Sequence, residues 1–212
     1  MWDDRYSTNT YRVTYVINNG KNNILDEIKN ILIASSVLFL DFIIISYRYN
    51  SSYLNTNLYL GWILFAGLAV LTGFFLHEMA HRYLAIKYGC DAEFRYYPLF
   101  LFISIVTSFL GVIFAAPGAV YISGYLTKKE NGKVSLAGPM TNLFFGVLFL
   151  AIAIPIHIYL FMALATLNSF FALFNLVPIP PLDGSKVFSW NKAYWGIAIG
   201  VSAILFLLTI TI

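Results

Sequence analysis

Residues 58–81 read LYLGWILFAGLAVLTGFFLHEMAH, an apolar run without a charge from Leu58 to Leu76 that ends in His77-Glu78-Met79-Ala80-His81. At ~1.5 Å per residue the run covers ~28 Å, close to the ~30 Å hydrocarbon layer of a bilayer, so it reads as a membrane helix. Two histidines four apart on a helix return to within ~40° of each other and can bind one Zn²⁺ from a shared face. Glu78 sits beside them, placed to take a proton from a water at the metal. A carboxylate and two imidazoles inside such a run are costly without partners, which makes them candidates for chemistry.

The rest of the composition agrees with a membrane location. Of 212 residues, 59% are hydrophobic and 11% charged, with aromatics at 18%, outside the range of soluble domains. The single cysteine, Cys90, excludes an internal disulfide and a cysteine-rich metal site. Residues 1–30 are polar and lack the apolar core of a cleaved signal peptide. They read as a cytoplasmic or interfacial leader, with one alternating stretch from Tyr11 to Val16 suited to a short strand and a brief interfacial helix over 23–30. Residues 31–212 read as one transmembrane domain. Its apolar segments fall at about 31–47, 58–81 continuing to Gly89, 97–116, 134–154, 156–176 and 194–211.

Charge placement decides how 97–116 behaves. If it folds back, twelve of the thirteen Lys and Arg residues lie on one side and only Arg48 on the other; if it crosses, the split is seven to six. The positive-inside rule favours the first, with a multi-pass protein of the cell membrane whose N-terminus and site opening face the cytoplasm. Gly111 and Ala115-Ala116-Pro117-Gly118 interrupt the run, and Ala119 to Ile122 suits a strand. The Lys128 to Lys133 cluster reads as a solvated turn. The fold class is thus an all-α polytopic membrane protein of about five to six transmembrane helices. A short membrane-embedded or interfacial β element is expected between the HExxH helix and the later Gly138-Pro139 helix.

A catalytic zinc site usually takes three protein ligands. His157 falls between two apolar segments on the far side and reads as a loop or interface residue. Asp183 is better placed: Pro178, Pro180 and Pro181 break the helix before it, and Gly184 permits an unusual backbone. A carboxylate on a broken helix can point into the bundle at the depth of the two histidines. Asp41, midway along the first apolar segment, is too near the bilayer centre to join them.

Three ordered motifs carry a resemblance: His77 to His81, then Ala137-Gly138-Pro139-Met140-Thr141-Asn142, then Asn175 through Pro178 to Leu182-Asp183-Gly184. Together they resemble the site-2 protease family of intramembrane zinc metalloproteases, over a core of about 58–190. The resemblance implies zinc on His77, His81 and Asp183, with Glu78 as general base. It also implies a strand around Gly118, Ala119, Val120 and Tyr121 that receives substrate in extended form. Asn142 and Asn175 either donate to the oxyanion or satisfy backbone groups at helix ends; both readings stand. The implied partners are a transmembrane protein substrate and the lipid bilayer, with selection by the membrane core or a separate adaptor or regulator. No nucleic acid is expected. The competing class is a transporter or metal-permeation protein using the same cluster without proteolysis, which the lack of repeated halves disfavours.

Overall fold

The computed structural model describes residues 10–14, 24–48, 58–114 and 116–212. In chain order the elements are β1 (Thr10–Thr14), α1 (Ile24–Arg48), α2 (Leu58–Ala69), α3 (Leu76–Lys87), β2 (Asp91–Tyr96), α4 (Pro98–Phe109), β3 (Gly118–Thr127), α5 (Lys128–Ile156), α6 (Tyr159–Asn175), α7 (Asp183–Trp190) and α8 (Lys192–Thr211). A π-helical turn, Val70–Phe75, joins α2 to α3 in one continuous rod.

Among the described residues, four helices are long and apolar enough to cross a membrane: Ile24–Arg48, Leu60–Lys87, Lys128–Ile156 and Lys192–Thr211. The α6 helix has 17 residues, ~25 Å, and α4 has 12, ~18 Å, which is too short for a ~30 Å hydrocarbon layer. The segment expected at 97–116 is therefore a short helix, opened by Pro98 at its first turn and ended before Gly111, whose φ is +93°. The expected brief helix over 23–30 and the span at 31–47 are one helix, α1, because nothing between Ile24 and Arg48 breaks the turn. Exposed faces are apolar, as lipid contact requires: Ile197, Ile204 and Leu207 on α8, and Phe144 and Val147 on α5. The core between α1, α2, α5 and α6 is packed by Leu38, Phe42, Leu143, Phe149, Leu150 and Leu164.

The β structure is larger than the sequence suggests. Three antiparallel strands run in the order β1-β3-β2, with β3 central. The short strand expected in the leader is present at Thr10–Thr14 and pairs with Thr127 through Ser123; Tyr15 and Val16 lie outside the described residues. On the other side, Asp91 to Tyr96 pair with Ser123 to Gly118. Ala92 and Phe94 of β2 are buried while Asp91 is exposed, the alternation of a strand with one face on the core.

Residues Lys128 to Lys133 differ from the expected turn: they are the first helical residues of α5. Thr127 Oγ1 accepts from the Glu130 N–H (3.1 Å) and Glu130 Oε2 accepts from the Thr127 N–H (2.8 Å), a capping box that starts the helix directly at the end of β3. Gly132 is required there because a Cβ would strike the Trp190 side chain of α7.

Candidate metal and catalytic centre

Helix α3 presents His77 and His81 toward α5, and both imidazoles are buried, at 5% and 7% exposure. Their Nδ1 atoms are taken by α5. His77 Nδ1 lies 2.5 Å from Asn142 Oδ1, and His81 Nδ1 lies 2.7 Å from the Val134 carbonyl oxygen. Each Nδ1–H donates to an acceptor that cannot donate back, which leaves Nε2 of each ring as the nitrogen able to offer a lone pair to a cation. Asn142 is itself locked, since its Nδ2 donates to the carbonyls of Thr72 and Gly73 in the π-helical turn, both at 3.1 Å, and approaches Asn168 Oδ1 at 3.3 Å.

The two Nε2 atoms face each other and Asp183. They are 3.0 Å apart, and Asp183 Oδ2 lies 3.5 Å from His77 Nε2 and 3.1 Å from His81 Nε2. A tetrahedral zinc with bonds of ~2.05 Å needs ligand atoms ~3.3 Å apart, so all three edges fit one cation. Gly138 keeps this space open. A Cβ there would overlap His81 Nε2 and stand 2.5 Å from His77 Nε2.

Asp183 arrives from a chain that cannot continue as helix. After α6 ends at Asn175, residues 176–182 turn through three prolines, held by Trp195 Nε1–H donating to the Leu176 carbonyl at 2.7 Å, and Asp183 opens α7. Burial pushes the Asp183 carboxyl up, but the positive charge of a protonated His81, then hydrogen bonds donated by His77 and His81, more than reverse this and hold it below the usual carboxylate range. It is therefore an anion at neutral pH, as a metal ligand must be.

Glu78, half-buried on the same turn of α3, lies beside the backbone N–H of Val120 in β3. Strand phase explains why. The Tyr97 N–H donates to the Pro117 carbonyl at 3.1 Å, so the pairs Arg95–Ala119 and Glu93–Tyr121 also exchange backbone bonds. The backbone groups of Gly118, Val120 and Ile122 then point to the opposite edge of β3, toward Glu78. Of the four strand residues singled out by sequence, Ala119 and Tyr121 thus serve the sheet, while Gly118 and Val120 turn to the site. Among the described residues, nothing pairs with Gly118 to Ile122 on that edge.

No family model matches the chain, and no solved structure matches it. Relatives bearing the name "Putative zinc metalloprotease" do match. MJ0611 of Methanocaldococcus jannaschii is 42% identical over 137 residues, covering 61% of this chain and 72% of the relative. The chain belongs to the site-2 protease family. Two more remote relatives of the same printed name are 30% identical: YwhC of Bacillus subtilis over 143 residues and Rip3 of Mycobacterium tuberculosis over 155. The match spans 65% of the first and 36% of the second.

In this site-2 protease the structure brings His77, His81 and Asp183 together, with all ligating atoms within 4.8 Å. His157 is the left-handed C-cap of α5, exposed and outside that group. The side-chain amides of Asn142 and Asn175 both bond within the protein. Asn142 is fully buried behind His77, with Oδ1 on the His77 ring and its amide protons engaged by the carbonyls of Thr72 and Gly73. Asn175 donates to the Phe171 carbonyl at 3.0 Å, one turn back in its own helix. Asp41 is buried between α1 and α4, facing Ser104 and Ser108, away from the cluster.

Proposed function

We propose that this protein is an intramembrane zinc metalloprotease that cleaves peptide bonds in or near transmembrane segments of membrane-protein substrates. The observation that carries the reading is the triangle of His77 Nε2, His81 Nε2 and Asp183 Oδ2, sized for zinc, with Glu78 between it and the edge of β3. His77, His81 and Asp183 would hold zinc there, which would supply a Lewis acid for the scissile carbonyl and lower the pKa of a water at the site to about 7. Glu78 accepts the proton of the attacking water and returns it to the leaving amine nitrogen.

A peptide bond in a membrane helix is shielded because its own backbone holds the carbonyl. The edge offered by Gly118, Val120 and Ile122 compensates: an unwound segment exchanges helical hydrogen bonds for those of a strand. Backbone pairing selects extended conformation more than side-chain identity. His77 lies ~26 Å along the rod from Leu60, near one boundary of the hydrocarbon, where water can reach it. Charge asymmetry supports placing that boundary at the cytoplasmic face of the cell membrane, with the N-terminus on the same side. The partners are then a transmembrane substrate, the bilayer, and a separate adaptor where further selection is needed.

The test is cleavage of a helical membrane substrate by protein reconstituted in liposomes. Glu78→Gln is expected to keep zinc and the fold while turnover falls by about 10²–10⁴. Wild-type turnover in Glu78→Gln defeats the assignment.

A further inference from the structure

We propose that Glu27, on the first turn of α1, is a positioning residue that fixes the height of β3 against Glu78; the inference rests on the protease reading above. Glu27 lies outside all three sequence motifs, yet it is 93% buried, with only 7% of its surface exposed. Its carboxylate takes three hydrogen bonds. Arg82 Nε and Nη2 donate to Oε1 and Oε2 at 2.5 and 2.8 Å, and the Phe94 N–H donates to Oε1 at 3.2 Å. One turn along α1, Asn30 Nδ2 donates to the Phe94 carbonyl at 3.3 Å. Phe94 presents both backbone groups away from β3, so Glu27 and Asn30 stand where a fourth strand would otherwise pair.

These contacts close a ring around the site. Phe94 is directly opposite Val120 in the β2–β3 register. The Val120 backbone N–H lies beside the Glu78 carboxylate. Arg82 is four residues after Glu78, on the same face of α3. The circuit Glu78, Val120, Phe94, Glu27, Arg82 and back to Glu78 is made of the Glu27 hydrogen bonds, one strand pair, one helical turn and the approach of the Val120 backbone to Glu78. Glu27 is the single member on α1, and it bonds both the metal-binding helix, through Arg82, and the sheet, through Phe94. Removing it frees the sheet to slide along α3, which shifts any segment paired on β3 relative to the general base. A misplacement of ~1 Å at a reacting centre costs about 10²-fold in rate.

The experiment compares three variants of the full chain in liposomes, reading zinc content, kcat and the distribution of cut bonds by mass spectrometry. Glu27→Ala is expected to retain zinc, lose at least about tenfold in kcat, and spread cleavage to neighbouring bonds. Glu27→Gln keeps an oxygen for the Phe94 N–H and is expected to hold the wild-type product pattern with a smaller loss. The exchange Glu27→Arg with Arg82→Glu restores the ion pair but offers Phe94 no acceptor, so its products stay spread.

Wild-type kcat and products in Glu27→Ala, or a wild-type product pattern in the exchange variant, overturn the proposal. Should Glu27→Ala fail to fold, the contrast between Glu27→Gln and the exchange variant decides it. A zinc-loaded wild type that cuts no membrane substrate defeats the protease reading instead.

Discussion

Gly138→Ala sets two consequences of one methyl group against each other. In an exposed or roomy helix interior the change would stabilise by about 0.5–1 kcal/mol, through lower backbone entropy in the unfolded chain. At this position the methyl enters the space between the imidazoles. Its carbon would overlap His81 Nε2 and stand 2.5 Å from His77 Nε2 and 2.7 Å from His77 Cδ2. Ordinary contact begins near 3.4 Å, so at least one ring must retreat by about 0.9 Å. Metal–nitrogen bonds tolerate only about 0.2 Å. One ligand is then lost, and the loss must exceed the 10–100-fold that removal of a supporting hydrogen bond costs. The expected result is a folded helical protein, by circular dichroism in detergent, whose zinc affinity by competition with a chromophoric chelator falls more than about 100-fold. A Gly138→Ala protein that binds one zinc with wild-type affinity would refute the placement of the metal between His77, His81 and α5.

Asn142→Ala removes the acceptor for His77 Nδ1 and the donor to the π-helical turn. Zinc affinity should fall about 10–100-fold, with a further loss of about 1–3 kcal/mol of stability from the orphaned carbonyls, read by metal titration and chemical denaturation. Gly184→Ala would drive a Cβ into the Leu176 carbonyl and to 2.6 Å from that of Val177, so α7 must move with Asp183; zinc content measured by mass spectrometry should drop along with the melting temperature. Cys90 is 5% exposed, and burial, then the charges of Glu130 and Asp91, push its thiol up. Alkylation at neutral pH should be far slower in folded than in denatured protein. The raised value means its contribution to stability is complete below the ordinary thiol pKa of about 8.5 and declines as pH rises above it.

What the sequence makes legible follows from which signals are local. The paired histidines declare themselves because four residues on a helix is a fixed geometry, and the prolines before Asp183 mark a broken helix wherever they occur. The strand β2 also had a local signal, with Ala92 and Phe94 facing inward between charged neighbours, but the apolar segments on either side overshadow it. Thr127 and Glu130 spell a capping box, yet Asn131-Gly132 reads as a turn until Trp190 is seen to need the space. The pairing of β1 with β3 bridges more than a hundred residues, and nothing in either strand names its partner. The part of Asn142 was hidden for a similar reason. An asparagine near a Gly-Pro step suits many tasks, and only the His77 ring 2.5 Å away selects one. Glu27 and Arg82 carry no pattern at all, since a glutamate near the start of a helix is explained by the helix itself.

β3 ends at Thr127 and α5 begins at Lys128, with no residue between them and reciprocal bonds across the junction. The strand that faces Glu78 and the helix that steers both imidazoles through Val134 and Asn142 are accordingly one stiff member without slack. On the proposed function, tension applied to the strand by a bound chain would be borne by the same backbone that aims the ligands, and substrate grip and metal geometry would share a single mechanical fate.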